Sequence, residues 1–184
     1  MRAVWSHWTK PLKDHPGSTW ISFRHYLLSF VLSFESARRY FSPTYLYTDK
    51  EGFQILVEAV GLPFDFVAIE LDSLNDHCLY WWNMGKLYTY SQQTDPFIHL
   101  DNDVFIWESL PKRIMSAPLF AQNPEYFTNF SDYYLPVELE NALASGWLPE
   151  EWLWGRNVFR NFQKAFNTGI YGGQRTDFVR YCAR

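Results

Sequence analysis

Apolar residues along this chain fall into short runs separated by stretches of helix-like spacing, and that alternation predicts its elements. Ala3 to Ser6 predicts a first strand, followed by a loop rich in Pro, Lys and His from His7 to Gly17. Ser18 or Thr19 is placed to cap a helix in which Trp20, Phe23, Leu27, Val31, Phe34 and Arg38 recur at three-four spacing. Its aromatics read as core, because large apolar residues at helical spacing usually pack against one another. Tyr45 to Thr48 predicts a second strand ending at Asp49, and Lys50 to Val60 a helix closed by Gly61. Phe66 to Glu70 predicts a third strand, followed by a loop through Asn75, Asp76 and His77. Trp82 to Gln93 predicts a helix carrying Lys86.

The next run, Phe97-Ile98-His99-Leu100, reads as a buried strand and stops at Asp101-Asn102-Asp103; a second apolar run, Val104 to Trp107, follows at once. Apolar walls on both sides place the two carboxylates in a crevice at a strand end. Two like charges one residue apart repel, and partial burial sharpens the repulsion, so something must compensate them. A divalent cation does so, and hard oxygen ligands suit Mg²⁺ or Mn²⁺, ions that keep positions open for phosphate oxygens. The plainer reading is a turn, for which Asp-Asn-Asp is ordinary chemistry. Alternation sets His99 on the face of the carboxylates but deeper, which favours a packed strand residue over a ligand.

Leu119 to Asn123 then predicts a short strand, Glu138 to Ser145 a helix closed by Gly146, and Pro149 to Trp154 a further helical turn. The stretch from Tyr126 to Trp154 is crowded with aromatics, a composition that suits stacking on sugars, a core or a partner surface equally well. Phe166 to Gly173 predicts a strand whose glycines allow close approach to a ligand, or a plain turn into the last helix. It lacks the lysine and the spacing of a phosphate loop. Strands alternating with helices make an α/β sheet whose ligand crevice lies at the strands' carboxyl ends, where Asp49 and the Asp101/Asp103 pair both fall.

Length and composition narrow the classes. The 184 residues predict one domain, and 47% hydrophobic with 20% aromatic residues is far from disorder. A net charge of −4 without a basic block argues against nucleic-acid binding. Cys78 and Cys182 form no metal-like spacing and read as reduced thiols. No leader pattern opens the chain, and serines break its longest apolar stretch, Tyr26 to Phe34, so the expectation is a cytoplasmic protein with no membrane span.

Two segments carry a resemblance. Phe97-Ile-His-Leu-Asp-Asn-Asp-Val104 resembles the Asp-x-Asp strand of GT-A-type glycosyltransferases, especially the glycogenin-like and lipopolysaccharide galactosyltransferase group. Phe166-Asn-Thr-Gly-Ile170 is similar to the Phe-Asn-Ser/Ala-Gly-Val segment that those enzymes place downstream. The opening Met-Arg-Ala-Val-Trp-Ser-x-Trp and the segment Gly85-Lys-Leu-Tyr-Thr-Tyr90 resemble an uncharacterised bacterial family built on that fold. The resemblance implies a Rossmann-like GT-A fold with a mixed, mostly parallel sheet between helices. The implied activity is metal-dependent transfer of a sugar from a nucleotide-diphosphate sugar, a UDP-sugar by preference, to an acceptor that the resemblance does not identify, a carbohydrate being the first expectation.

It also implies roles. Asp101 would touch the donor ribose or the metal, and Asp103 would ligate the Mn²⁺ or Mg²⁺ that bridges the diphosphate. Trp5 and Ser6 would line the base pocket. Asp49 would accept from base or ribose, with a helix cap before Lys50 as the equal alternative. Lys86 would sit over the donor phosphate or sugar where these enzymes often have arginine, as a point charge without bidentate contact. Asn102 and Gly169 belong to the two matching segments and count with the donor-binding residues, while Asn167 and Gln122 would bond sugar hydroxyls. Related enzymes take a third metal ligand, commonly histidine, from a C-terminal His-x-x-Gly segment, whereas the last histidine here is His99. That departure predicts a fragment or shortened domain first and an inactive homologue second. The rivals are a nucleotide-sugar- or carbohydrate-binding module without catalysis, an interaction domain, and a nucleotidyltransferase, for which the first strand lacks a Gly-rich loop.

Overall fold

A computed structural model describes residues 1–14, 20–77, 82–126 and 164–183. The backbone groups into two compact units, one of Met1–Ala121 with Thr168–Arg184 and one of Gln122–Asn167. In chain order the elements are β1 (Arg2–His7), α1 (Thr9–Asp14), α2 (Phe23–Ala37), β2 (Thr44–Thr48) and α3 (Lys50–Phe53). They continue with β3 (Phe66–Ile69), α4 (Met84–Ser91), β4 (Phe97–Leu100), α5 (Lys112–Met115), β5 (Phe120–Tyr126), β6 (Lys164–Gly173) and α6 (Thr176–Cys182). The sheet runs in the order β3-β2-β1-β4-β6-β5. β1 pairs in parallel with both β2 and β4, β2 pairs in parallel with β3, and β6 turns antiparallel against β4. This is the expected α/β architecture, a mixed and mostly parallel sheet with helices on its faces.

Strand alternation sends side chains to two cores. Ala3, Trp5, Ile98 and Leu100 pack with Phe30 and Phe34 of α2, while Val4 and Phe97 pack with Tyr90 of α4 and Val179 of α6. Every residue of β4 is buried, as a central strand covered on both faces must be. No described helix is long and apolar enough to cross a membrane.

The predicted strands appear with ends shifted by a few residues, as helix and strand termini generally do. Four differences have physical causes. The loop from His7 holds a short helix, α1, with Pro11 in its first turn, where a missing N–H is tolerated. Ser18 and Thr19 lie outside the described residues, and the cap of α2 is Ser22, whose hydroxyl accepts from His25 N. The buried face of α2 is Tyr26, Ser29, Phe30, Ser33, Phe34, Ser36 and Ala37, one row away from the predicted stripe. Phe23 is exposed, because three-four spacing is met by two adjacent rows and the serines belong to the inner one. The predicted helix from Lys50 widens after α3 into a π-helical stretch, Gln54–Ala59, before Gly61 at φ +79° closes it.

Downstream, Val104 to Trp107 takes no regular structure: Ile106 is buried and Trp107 is 66% exposed. The last two glycines of β6 serve strand packing. A Cβ on Gly172 would collide with the Phe97 carbonyl, and Gly173 adopts φ +146° against Pro118 and Leu119. The helices predicted at 138–145 and 149–154, most of the aromatic-rich segment, and Cys78 lie outside the described residues. Cys182 is exposed near the end of α6.

Candidate functional site

After β1 the chain moves to one side of the sheet through β2 and β3, then crosses to the other side of β1 as β4. In open α/β sheets such a reversal opens a crevice beyond the strands' carboxyl ends. Asp101 leaves β4 at that point, and its carbonyl accepts from Val104 N at 3.1 Å, so Asp101-Asn102-Asp103 is a tight turn. The plainer reading of this motif, a turn, is therefore present in the structure.

Three serines fix that turn. On α2, Ser29 donates to the Asn102 carbonyl at 2.8 Å and Ser33 to the Asp101 carbonyl at 2.9 Å, while Ser36 accepts from Ile106 N at 3.0 Å. Spacings of four and three place all three on one helix face. Ser33 also accepts the indole N–H of Trp5 at 3.0 Å, and Asp101 N donates to the Gly169 carbonyl of β6 at 2.9 Å. The turn is thus held through its backbone and not through its carboxylates. The part these serines play in holding the turn went unrecognised in the sequence, where they only interrupt an apolar stretch. Hydroxyls recurring at helical spacing on the inner face were the available signal.

Lys86 of α4 supplies the countercharge. Its Nζ lies 2.7 Å from Asp101 Oδ2, with side chains 17% and 23% exposed, and 5.7 Å from the centre of the Trp82 ring. Asp101 Oδ1 stands 3.9 Å from Nδ1 of His99. His99 is 1% exposed, as expected of a packed strand residue, yet it touches the site: Nε2 is 3.0 Å from Ser6 Oγ and Nδ1 is 3.5 Å from the Tyr90 hydroxyl. Burial first, and Lys86 next, hold His99 well below the ordinary histidine range, so it stays neutral. Burial pushes the Asp101 carboxyl up, Lys86 opposes that shift, and the charge of Asp103 adds to it. Asp103 is exposed and forms no ion pair among the described residues. The Asn102 amide nitrogen is shielded from solvent without a hydrogen-bond partner there.

Ser6 (through His99), Lys86, Asp101, Asn102, Asp103 and Gly169 are thus brought together around this turn, Gly169 through its carbonyl. Two others do not join them. Trp5 is 0% exposed between Phe34 and Phe64, because its position in β1 turns it into the α2 core and away from the crevice. Asp49 is a helix cap, accepting from Thr9 N and Thr9 Oγ1 at 2.7 Å and from Gly52 N at 2.8 Å. Asp49 also borders a cleft of about 250 Å³ with Thr9, Lys10, Lys13, Glu51, Asp72 and Asn75. Gln122 and Asn167 belong to the other compact unit, where Asn167 Nδ2 donates to Glu125 Oε1 at 2.8 Å.

Over residues 1–184 the sequence matches a family of unknown function, DUF6734. The chain belongs to that family. No curated protein matches it. What the centre can do in this DUF6734 chain follows from its groups. Among the described residues no three His, Cys, Asp or Glu side chains converge to hold a metal ion. Two carboxylates on one turn, one already paired with an ammonium, suit a cation that brings further oxygen ligands with it. Mg²⁺ is commonly bound in that way, through one or two carboxylates plus substrate phosphates.

Proposed function

We propose that this chain is a metal-dependent glycosyltransferase of the GT-A type, moving a sugar from a nucleotide-diphosphate sugar, a UDP-sugar by preference, to an acceptor whose identity the site does not specify. The observation that carries the reading is the Asp101–Lys86 pair beside an exposed Asp103, on a turn at the reversal point of the sheet. Asp101 and Asp103 would hold Mn²⁺ or Mg²⁺, and that ion supplies positive charge against the departing diphosphate. Lys86 adds a second positive charge within reach of the same oxygens. Ser29 and Ser33 keep the turn's backbone in place while ligands change, which is preorganisation from a rigid element. Neutral His99, braced by Ser6 and Tyr90, packs under Asp101 without competing for its charge.

A nucleotide-sugar- or carbohydrate-binding domain without turnover is the second reading, favoured by the lack of a third convergent ligand among the described residues. Calorimetric titration of UDP and UDP-sugars with and without Mn²⁺ tests both, alongside Asp103→Ala. Metal-dependent binding that disappears in the variant supports the donor site, and hydrolysis or transfer of the sugar then separates enzyme from binding domain. If neither UDP nor GDP donors bind, the transferase reading fails.

A further inference from the structure

We infer that Lys86 holds the place of the divalent ion in the ligand-free centre, so that the centre takes up the ion preferentially together with a diphosphate that draws the lysine away. This rests on the carboxylate-turn reading above and concerns which species the site selects.

The Lys86 ammonium is bonded to Asp101 Oδ2 at 2.7 Å in a partly buried pair. A bare cation approaching Asp101 meets that ammonium first, and like charges a few ångströms apart repel strongly when water is partly excluded. The other oxygen of Asp101 faces buried His99 at 3.9 Å. Asp103 is then the one open carboxylate on the turn, and a single exposed carboxylate is a poor site for Mn²⁺ or Mg²⁺. A diphosphate changes both sides of the balance. Its oxygens complete the ligand set of the ion and accept the ammonium in charge-assisted hydrogen bonds. Lysine suits the exchange because a compact charge on a flexible four-carbon stem can re-aim without moving α4. The Trp82 face, 5.7 Å from Nζ, favours a cation beside it during that movement. The centre therefore discriminates against free divalent ions and in favour of their diphosphate complexes.

Electron paramagnetic resonance of free Mn²⁺ tests this on the full chain, with wild type, Lys86→Met, Lys86→Gln, and each lysine variant combined with Asp103→Asn. Wild type is expected to bind Mn²⁺ at least about tenfold more tightly with saturating UDP than without it, since one charged contact is worth about a factor of ten. Both Lys86 variants are expected to bind Mn²⁺ alone about tenfold more tightly than wild type and to lose most of the UDP enhancement. Adding Asp103→Asn is expected to erase the gain. If the Lys86 variants, shown to be folded by circular dichroism, bind Mn²⁺ no more tightly while wild type keeps UDP-dependent uptake, the exchange role is overturned and the donor site survives. Equal Mn²⁺ affinity of wild type with and without UDP overturns it as well. If no form takes up Mn²⁺ under any condition, the carboxylate-turn reading itself has failed.

Discussion

Asp49 and Asp101 stand at the carboxyl ends of β2 and β4, the two strands that flank β1, and the chain uses them in opposite ways. Asp49 is 2% exposed and both its oxygens are filled, by the Thr9 amide and hydroxyl and by the Gly52 amide. Asp101 is held by its backbone, through Ser33 and Gly169, and its carboxylate meets a single flexible ammonium. A strand end brings an acidic residue to the crevice, but the donors that surround it decide whether it is architecture or a site. Where amides saturate the carboxylate, no ligand can compete without breaking the fold. Where hydroxyls hold the carbonyl, the carboxylate is spared.

The largest effect expected from this contrast is on Asp49. Asp49→Ala leaves the Thr9 and Gly52 amides without their acceptor and removes a helix cap, a loss of about 3 kcal/mol in urea unfolding. Asp101→Asn is expected to cost about 1 kcal/mol, because the pair it disrupts is partly exposed, and to abolish Mn²⁺-dependent UDP binding in calorimetry. An Asp49→Ala protein as stable as wild type would break the distinction.

Acid is the next lever, and it acts on the same side of the contrast. His7 is buried beside Asp49, its Nδ1 2.6 Å from the Tyr26 hydroxyl. Burial lowers it to about 4 against the pull of Asp49 and Glu51. An unfolded histidine titrates near 6.5, so the unfolded chain binds the extra proton first as pH falls. Stability is therefore complete above about pH 6.5 and drains away toward pH 4, by about 2 kcal/mol between pH 7 and pH 5. His99 is depressed in the same direction and adds to the slope. Thermal unfolding across that range checks it: His7→Gln is expected to flatten part of the slope, and an unchanged slope would remove His7 as its source.

How much of this was legible in the sequence follows the same division. Short apolar runs placed the parallel strands and the α/β class, because β1 and β4 are buried on both faces and so read as nearly continuous apolar segments. Asp101, Asp103 and Lys86 were readable because two carboxylates between apolar runs demand compensation, and the nearest upstream helix offers a cation. Asp49 was readable only as an alternative, since capping and ligand binding ask for the same residue at the same place and the deciding donors, Thr9 and Gly52, come from elsewhere in the chain. Trp5 was misplaced because strand alternation fixes which residues share a face but not which face turns to the crevice. The serine row of α2 was missed because its partners are carbonyls and an amide of a loop about 70 residues away, and no local pattern records them.

That serine row gives the next smaller effect. Ser33→Ala removes the acceptor of a buried indole N–H and the donor to the Asp101 carbonyl together, an expected loss of about 1 to 2 kcal/mol in chemical denaturation. Ser29→Ala removes one partly buried bond and is expected to cost about 0.5 to 1 kcal/mol. Both should weaken Mn²⁺–UDP binding, Ser33→Ala more, because a turn that drifts by an ångström no longer presents its carboxylates together. Loss of stability with ligand affinity untouched would make the row ordinary packing.

Asp103 is expected to show the smallest effect on stability. It is exposed and forms no ion pair among the described residues, so Asp103→Asn changes unfolding free energy by no more than about 0.5 kcal/mol. Asparagine keeps the turn geometry and an oxygen acceptor while removing the charge. Loss of Mn²⁺-dependent UDP binding in that variant then reports charge and nothing structural. The pairing of a near-silent unfolding curve with a lost ligand is what separates the open carboxylate from the saturated one. A variant that bound UDP as before would mean that Asp103, like Asp49, belongs to the architecture and not to the site.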